Sequence, residues 1–336
     1  MTAACPSIAV LGAGSWGTAL AIRLARNGRP TVLWGRNAEL MAQLVQTRCN
    51  TRFLPEAVLP ENLTTTSDLA HALGTASVSL IAVPSHAFRE TLKLLAAHLS
   101  PSLRIACATK GMEPGSGSLP HQIAREVMGD ARPFAVISGP TFAREVAAGL
   151  PAAVTVATQN AAFAAELAAA LHGDSFRAYT SDDVTGVELG GAVKNVLAIA
   201  AGIADGLGFG ANTRAALITR GLAEMMRLGV ALGGQRETFM GLAGLGDLVL
   251  TCTDDQSRNR RLGLALARGT ALTDALCDIG QSVEGVATAR EVVRLAKVHN
   301  IEMPISEQVC SVLHEGKSPR AAVQTLLQRE QKAETP

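Results

Sequence analysis

Aromatic residues are scarce in this sequence, and neither sign of charge is in excess. Only 3% of the 336 residues are Phe, Trp or Tyr, and 30 Lys plus Arg stand against 29 Asp plus Glu, for a formal net charge of +1. Nucleic-acid-binding proteins usually carry a basic surface, and many stack bases on aromatic rings. The composition therefore argues against a nucleic-acid partner.

Paired cysteines and metal-ligand spacings are also absent. The six cysteines include no C-x-x-C pair, and the seven histidines show no H-x-x-x-H spacing. A chain of this length can bury enough apolar surface to fold without disulfides. The pattern predicts reduced thiols in a cytoplasmic protein and no metal site.

Long apolar runs are missing too, although hydrophobic residues make up 48% of the chain and the mean hydropathy is +0.22. The most apolar helical stretch, residues 196–204, is closed by Asp205, so we expect it to be too short for a membrane span. No basic region precedes the first apolar run, and we therefore expect no signal peptide. These features favour a soluble protein that does not insert into a membrane.

The segment 7–17, SIAVLGAGSWG, has three glycines directly behind a short β-branched run. A strand, a Gly-x-Gly-x-x-Gly turn and a helix present backbone N–H groups and a helix N-terminus to a pyrophosphate. In this pattern Gly12 makes the tight turn, Gly14 allows close approach of the cofactor, and Gly17 lets the helix pack on the strand. The segment predicts dinucleotide binding, and a purely structural glycine turn is the alternative.

The end of the next predicted strand, residues 31–34, indicates which dinucleotide is bound. A carboxylate there would bind the ribose 2′-hydroxyl of NAD, but the chain continues with Gly35 and Arg36. An arginine suits a 2′-phosphate through charge-assisted hydrogen bonds. We expect NADP(H) to be favoured with NAD(H) possible, and a solvated surface arginine is the alternative.

The order of the apolar segments predicts an α/β protein with two domains. Residues 1–180 are expected to form a doubly wound, Rossmann-type domain with a parallel sheet, and residues 181–336 an all-helical substrate-binding domain. The predicted strands are 8–11, 31–34, 78–83, 105–109, 134–138 and 153–157. The predicted helices are 18–26, 85–99, 119–128, 161–171, 185–204, 213–232, 260–268, 286–300 and 307–314. We expect the substrate in the crevice between the domains, and a frayed segment after Gln328.

Residues 188–195, ELGGAVKN, are the strongest candidate for a catalytic segment in the helical half. Two glycines inside a helix cost about 1 kcal/mol each, so Gly190 and Gly191 indicate a close neighbour. The flanking residues are apolar, which places Lys194 in a buried helix that lines a cleft. A desolvated ammonium has a lowered pKa and can exchange a proton with an alcohol or carbonyl oxygen near neutral pH. The alternative is an ordinary solvated lysine.

Two further segments of the helical half are rich in polar groups. The glycine-rich residues 241–248 place Asp247 on a bent backbone, and Ser257, Arg258 and Asn259 offer a hydroxyl, a guanidinium and an amide in sequence. This trio can hold a phosphate at a helix start. A polar helix cap with surface arginines explains the same residues equally well.

Two candidates lie at the carboxyl ends of predicted strands. Lys110 follows one strand, and Ser138, Gly139 and Thr141 end another. Residues beyond the carboxyl ends of parallel strands face the ligand crevice. The second group could equally be only a turn.

Eight motifs in order, from about residue 7 to about residue 320, closely resemble those of bacterial NAD(P)-dependent glycerol-3-phosphate dehydrogenases. They are GAGSWGTALA, NTRFLP, ATKGME, SGPTFA, ELGGAVKN, GLAGLGDL, SRNR and SVEG. Enzymes of that family interconvert dihydroxyacetone phosphate and sn-glycerol 3-phosphate, which supplies phospholipid biosynthesis. The resemblance implies the same oxidoreductase activity here.

The resemblance also implies roles for individual residues, with Lys194 as the proton acceptor in the oxidation direction. The implied cofactor contacts, beside the three glycines of the turn, are Ser15, Trp16, Arg36, Lys110, Ala143, Arg258, Ser282 and Glu284. The implied substrate contacts are Lys110, Gly139, Thr141, Lys194, Asp247, Ser257, Arg258 and Asn259. Thr141 stands where serine is frequent in the family, and Ser282 where an aliphatic residue is common.

Two other functions remain open at this level. A related two-domain hydroxyacid or ketoacid reductase would act on a substrate without phosphate, and the cluster around Arg258 argues against it. A nucleotide-sensing binding protein without turnover would not need Lys194 and Asp247, yet both are present. The apolar helical half makes a homodimer plausible.

Overall fold

The computed structural model describes residues 7–330, and within them a sheet region precedes a helical region. The strands are β1 Ile8–Leu11, β2 Thr31–Trp34, β3 Cys49–Asn50, β4 Leu54–Val58, β5 Leu63–Thr66, β6 Val78–Ile81, β7 Arg104–Cys107, β8 Phe134–Ser138, β9 Ala152–Ala157 and β10 Phe176–Ser181. The helices of the sheet region are α1 Ser15–Arg26, α2 Ala38–Thr47, α3 Leu69–Leu73, α4 Ser85–Ala96, α5 Pro120–Met128, α6 Ala143–Ala148 and α7 Ala161–Leu171.

The chain after β10 is helical throughout its described part. Its α-helices are α8 Val184–Gly206, α9 Ala211–Ala231, α10 Arg236–Met240, α11 Asp247–Thr253, α12 Arg258–Ala267, α13 Leu272–Ile279, α14 Glu284–Val298, α15 Pro304–His314 and α16 Pro319–Leu327. The predicted α/β class with a helical C-terminal region is confirmed. Arg329, in the segment expected to be frayed, donates to the Glu302 carboxylate at 3.0 Å, and residues 331–336 of that segment lie outside the described residues.

The large sheet of the described residues has eight strands in the order β10-β9-β8-β7-β6-β1-β2-β5. Strands β5, β2, β1, β6, β7 and β8 are parallel, whereas β8 and β9 are antiparallel. The expected parallel sheet is therefore present in six strands, whereas β9 and β10 run opposite to them. The connection from β8 to β9 carries only the six-residue helix α6, so the chain returns from the end of the sheet at which β8 finishes.

The sheet is covered on both faces, as predicted. Successive side chains of a strand point to opposite faces, and in β1 Ile8 and Val10 join one apolar cluster while Ala9 and Leu11 join another. All four residues are at most 1% exposed. This burial explains why β1 is a continuous apolar run and not an alternating one.

Helix α8 forms the centre of the helical region and contacts α9, α11, α12 and α14. It is 23 residues long, and an 18-residue window within it has a mean hydropathy of 1.5, which is enough for a membrane span by length and composition alone. The expectation of a short apolar stretch is thus wrong about the helix as a whole. The apolar window is entirely buried inside the protein, so α8 is its core helix.

The glycine-rich segment 241–248, expected to bend the backbone at Asp247, contains a π-helix, Leu242–Gly246, between α10 and α11. A Cβ added at Gly190 of α8 would lie 2.4 Å from the Ala243 carbonyl oxygen in this π-helix. The predicted close neighbour of the glycine pair is therefore present. Single π-turns often occur at functional sites, and this one leads directly into Asp247.

Candidate active site

A cleft of about 670 Å³ opens between the carboxyl edge of the sheet and the helical region. Residues from both regions line it, which agrees with the expected location of the substrate. The predicted site residues in its lining are Gly14, Ser15, Trp16, Lys110, Thr141, Ala143, Lys194, Ser257, Arg258, Asn259, Ser282 and Glu284. The predicted site residues outside its lining are Gly12, Gly17, Arg36, Gly139 and Asp247.

The glycine turn has the shape that a dinucleotide requires. Gly12 has φ +121°, and a Cβ on Gly17 would lie 1.9 Å from the Gly12 carbonyl oxygen, so both glycines are needed by the fold itself. A Cβ on Gly14 would meet no atom within 4 Å, which leaves open space where a pyrophosphate would approach. Trp16 adds a buried Nε1 without a partner in the described residues. These features fit a dinucleotide at the start of α1.

Asn50 secures the glycine turn from a distant segment. Its side chain is fully buried and donates to the Ala13 carbonyl at 3.0 Å and to the Thr18 hydroxyl at 2.8 Å. No role was predicted for Asn50 from the sequence. The NTRFLP motif, a polar start before an apolar pair, was the signal that pointed to this segment.

Arg36 is exposed and lies at the carboxyl end of β2, one residue beyond Gly35. The following Asn37 accepts from the Leu40 N–H at 2.8 Å and so caps α2. No carboxylate stands at this strand end, in agreement with the sequence argument about the ribose. The position is compatible with a 2′-phosphate reader and with a solvated arginine.

Two lysines share one buried carboxylate at the base of the cleft. Lys194 Nζ lies 2.5 Å from Asp247 Oδ1, and Lys110 Nζ lies 2.8 Å from Asp247 Oδ2. Lys194 also donates to Thr251 Oγ1 at 3.0 Å, and Lys110 to the Gly139 carbonyl at 2.8 Å. Two ammonium groups and one carboxylate leave a net positive charge, which suits a substrate oxygen that becomes negative.

The environment of Lys194 tunes its acidity. Burial lowers the pKa of Lys194 to about 7, with Lys110 acting in the same direction and Asp247 in the opposite one. A group with such a pKa exists in both protonation states near neutral pH, as a proton donor and acceptor must. Burial raises the pKa of neighbouring Cys252 to about 12, so this thiol stays protonated and is no nucleophile.

Thr251 was not identified as a site residue from the sequence. It follows Asp247 by four positions, so the two side chains lie on one face of α11, and its hydroxyl also donates to the Asp247 carbonyl oxygen at 2.6 Å. Its spacing from Asp247 was the signal that could have found it. Lys194 is thereby held by two groups of the same helix.

The start of α12 combines a helix cap with a guanidinium that makes no hydrogen bond to a described residue. Ser257 is the N-cap residue, and its Oγ accepts from the Arg260 N–H at 3.2 Å. Arg260 pairs with Asp205 and, at 2.9 Å, with Asp255, so it serves the fold. Arg258 lines the cleft and has no hydrogen bond or ion pair with any described residue. The cap interpretation therefore holds for Ser257 and Arg260, while Arg258 faces the cleft.

The two asparagines of the cleft use their amides within the protein. Asn259 Nδ2 donates to Asn195 Oδ1 at 2.9 Å, and Asn259 Oδ1 accepts from the Gly285 N–H at 2.9 Å. Asn195 Nδ2 in turn donates to the Lys110 carbonyl at 3.3 Å and to the Gly191 carbonyl at 3.2 Å. Asn259 thus lines the cleft, and both its amide nitrogen and its amide oxygen are hydrogen-bonded to the protein.

Further contacts join the two regions across the cleft. The Glu284 carboxylate accepts from Ser85 Oγ at 2.5 Å, and Gln256 Nε2 donates to Glu145 Oε1 at 2.8 Å. Neither link was predicted, because each joins residues more than 100 positions apart. Within the sheet region, Thr141 Oγ1 donates to the Gly139 carbonyl at 3.2 Å.

No group of three or more potential metal ligands occurs among residues 7–330.

Comparisons with known proteins agree with this geometry. The family model of the NAD-dependent glycerol-3-phosphate dehydrogenase N-terminus matches residues 7–164, and that of the C-terminus matches residues 183–324. A glycerol-3-phosphate dehydrogenase (NAD(P)+) of Nitrosococcus oceani is 61% identical over 325 residues, which cover 97% of this chain and 94% of the relative.

Solved structures give the same result. The crystal structure of glycerol-3-phosphate dehydrogenase from Coxiella burnetii has a TM-score of 0.93 and 50% identity, covering 96% of this chain and 99% of that one. The yeast enzyme from Saccharomyces cerevisiae has a TM-score of 0.82 and 26% identity, covering 95% and 99%. The chain therefore belongs to the family of NAD-dependent glycerol-3-phosphate dehydrogenases and is an oxidoreductase.

Proposed function

We propose that this enzyme reduces dihydroxyacetone phosphate to sn-glycerol 3-phosphate, reversibly, with NADPH or NADH. The observation that carries the proposal is the cleft itself: it holds a buried Lys194 beside Asp247 together with an unpaired Arg258. The Lys194 ammonium can hydrogen-bond to a ketone oxygen, and the Arg258 guanidinium can bind a phosphate. The matches to both halves of the dehydrogenase family support the same substrate.

Lys194 is the proposed acid in reduction and base in oxidation. Its ammonium would hydrogen-bond to the ketone oxygen, stabilise the negative charge that develops there, and donate a proton to it. Asp247 and Thr251 hold Nζ in place, so little reorganisation is needed when the oxygen becomes charged. Lys110 adds a second positive charge on the other oxygen of Asp247.

Arg258 and the start of α12 are the proposed phosphate site. The first N–H groups of a helix have no intrahelical partner and bind anions, and the Ser257 hydroxyl can still donate while its oxygen caps the helix. A guanidinium adds charge-assisted hydrogen bonds. Binding the phosphate remote from the reacting carbon would orient that carbon and so contribute to the rate.

The cofactor would lie along the start of α1, with its pyrophosphate at Gly14 and Ser15. When bound, the reduced nicotinamide supplies the hydride that the ketone carbon accepts. Trp16, Ala143, Ser282 and Glu284 line the same cleft and would enclose the dinucleotide. The exposed Arg36 favours NADP(H) over NAD(H) through the 2′-phosphate.

The alternative of a reductase for unphosphorylated hydroxyacids or ketoacids gives a different result in one assay. Oxidation of NADPH is followed with dihydroxyacetone phosphate and with dihydroxyacetone. We expect kcat/KM to be at least ~100-fold higher with the phosphorylated ketone, since a charged hydrogen bond contributes about 1.5–3 kcal/mol and the phosphate can form several. Equal kcat/KM values would contradict the proposal.

The proposal also covers the location of the protein in the cell, its oligomeric state and its domain boundaries. We infer a cytoplasmic enzyme that supplies glycerophospholipid synthesis, acts as a homodimer, and divides into a cofactor domain of residues 1–180 and a substrate domain of residues 181–336. The burial of residues 186–204 of α8 inside the protein supports a protein that does not insert into a membrane.

A further inference from the structure

Asn50 is buried beside the glycine turn, although 37 positions separate it from Ala13 in the sequence. Its Nδ2 donates to the Ala13 carbonyl at 3.0 Å and to the Thr18 hydroxyl at 2.8 Å, and its Oδ1 accepts from the Phe53 N–H at 3.3 Å. The Phe53 N–H can only donate and the Ala13 carbonyl can only accept, so the amide has one orientation. The side chain is 0% exposed, and Asn50 therefore acts on a ligand only through the residues that it holds.

The Ala13 carbonyl and the Gly14 N–H belong to the same peptide plane. This peptide is trans, and in a trans peptide the C=O and the following N–H point in opposite directions. Since Asn50 holds the Ala13 carbonyl, the Gly14 N–H points away from Asn50. It has no acceptor among residues 7–330, and Gly14 lines the cleft. The hydrogen bond from Asn50 thus leaves one backbone donor of the turn available to a ligand.

Glycine at position 14 makes this peptide plane easy to turn over. A peptide flips when ψ of Ala13 and φ of Gly14 change together, and glycine adopts positive φ about as readily as negative φ. Gly14 has φ −78° and ψ −178°, a conformation that glycine does not specify by itself. The direction of its N–H therefore depends on the group that holds the preceding carbonyl, which is the Asn50 amide.

The same amide joins the turn to one wall of the cleft. The Phe53 N–H is held by Asn50, and the Phe53 carbonyl accepts from Ser15 Oγ at 2.7 Å. Phe53 lines the cleft together with residues 54–57. The segment 50–53 is thus attached both to the turn and to the first residue of α1, so the turn and this wall are held in one arrangement.

We propose that Asn50 is a positioning residue for the cofactor, which holds the Ala13–Gly14 peptide in the orientation that presents the Gly14 N–H to the pyrophosphate. This inference rests on the proposed placement of the dinucleotide at the start of α1. The pyrophosphate is common to NADH and NADPH, so Asn50 acts on both cofactors alike. This distinguishes it from Arg36, which is proposed to read the 2′-phosphate of NADPH alone.

The test compares Asn50→Ala with wild type, well below the unfolding midpoint of the variant. Fluorescence titrations give the Kd of NADPH and of NADH, and steady-state kinetics give kcat with dihydroxyacetone phosphate at saturating NADPH. We expect both Kd values to weaken about tenfold, because one hydrogen bond to a charged group contributes about that factor or more. We expect kcat to stay within about twofold of wild type, since the lysines of the helical half are unchanged.

A role in the fold alone would give a different result. The unfolding midpoint would then fall while both Kd values stayed at those of wild type, and this pattern would overturn the inference. A loss confined to NADPH would also overturn it, because it would place the effect at the 2′-phosphate. Asn62→Ala is the matched control, since Asn62 donates its amide to the Ala25 carbonyl at 2.8 Å near the other end of α1, and it should change neither Kd.

Asn50→Asp is the second variant if alanine prevents folding. Aspartate keeps the size of the side chain and an acceptor for the Phe53 N–H, but its carboxylate cannot donate to the Ala13 carbonyl. It should weaken both cofactors at least as much as alanine does, and wild-type Kd values in this variant would contradict the proposal. If wild type binds neither dinucleotide, the proposed function fails; if wild type binds both and the variants bind them equally well, only the role of Asn50 fails.

Discussion

The sheet side and the helical side of the cleft differ in the chemical groups that line them. On the sheet side the site consists mainly of backbone: a glycine turn with a positive φ at Gly12 and open space at Gly14, followed by the start of α1. On the helical side it consists of side-chain charge, with Lys194 and Asp247 buried at 6% and 1% exposure. The first half recognises a ligand by shape and helix polarity, the second by charge and proton transfer.

This difference has an energetic basis. Backbone N–H groups at a helix start are polar whether or not a ligand is present, and their cost is small because water can reach them. A buried ammonium loses its hydration and is tolerated only beside a compensating carboxylate. Substitutions on the helical side should therefore affect turnover, and those on the sheet side binding.

The largest effect is expected from removing the charge at Lys194. Lys194→Met should lower kcat at least ~100-fold, since a positioned proton donor contributes that much or more, while the Kd of the cofactor changes little. Steady-state kinetics and a fluorescence titration measure the two quantities. Lys297→Met, at an exposed position of α14, is the control and should match wild type. A near-normal kcat at position 194 would remove Lys194 from the mechanism.

The matching change on the sheet side is Gly14→Val. The added side chain meets no protein atom within 4 Å of its Cβ, so the unfolding midpoint should stay near that of wild type. It would occupy the space next to the pyrophosphate and weaken the Kd about 30-fold, which corresponds to a cost of about 2 kcal/mol for overpacking.

Gly12→Ala, in the same turn, is expected to differ from Gly14→Val in its effect on stability. Its Cβ would lie 2.7 Å from the Ala82 carbonyl oxygen at a φ of +121°, so both the unfolding midpoint and the cofactor affinity should fall. If Gly14→Val binds the cofactor like wild type, the pyrophosphate does not approach this turn.

The pH dependence tests the charge on the helical side. With a pKa of about 7, Lys194 is protonated below neutral pH and neutral above it. Reduction needs the protonated form, so its kcat should fall up to about tenfold per pH unit above 7, while kcat for oxidation should rise with pH through the same midpoint. Asp247→Asn removes the group that raises this pKa and should move both midpoints to lower pH. Parallel pH profiles in the two directions would contradict the assignment.

The smallest effect is expected at Arg36, an exposed charge of the sheet side that is predicted to bind the ribose 2′-phosphate. Arg36→Ala should weaken the Kd of NADPH about fivefold, the range of an exposed ion pair, and leave that of NADH unchanged. Titrations with both cofactors measure this. Arg268→Ala, an exposed arginine of the helical region, is the control. Equal losses for both cofactors would show that Arg36 does not recognise the 2′-phosphate.

Much of the fold could be predicted because it depends on local patterns. Strands β1, β2 and β8 lie at the predicted residues, and α8 extends two residues past its predicted end at residue 204. Strand β9 was expected at residues 153–157, but its antiparallel pairing with β8 was not, and neither was the π-helix before Asp247. A strand's direction and a helix's extra residue depend on what packs against them.

The sequence by itself determined the glycine turn, the α/β class and the identity of Lys194 as a candidate, because adjacent residues specify each of them. Only the tertiary structure decided that Asp247 joins Lys194 to Lys110 and that Asn259 accepts from the Gly285 N–H at the start of α14. These contacts join segments 26 to 137 positions apart. Their pairing depends on how α8, α11, α12 and α14 pack, and no local periodicity encodes that arrangement.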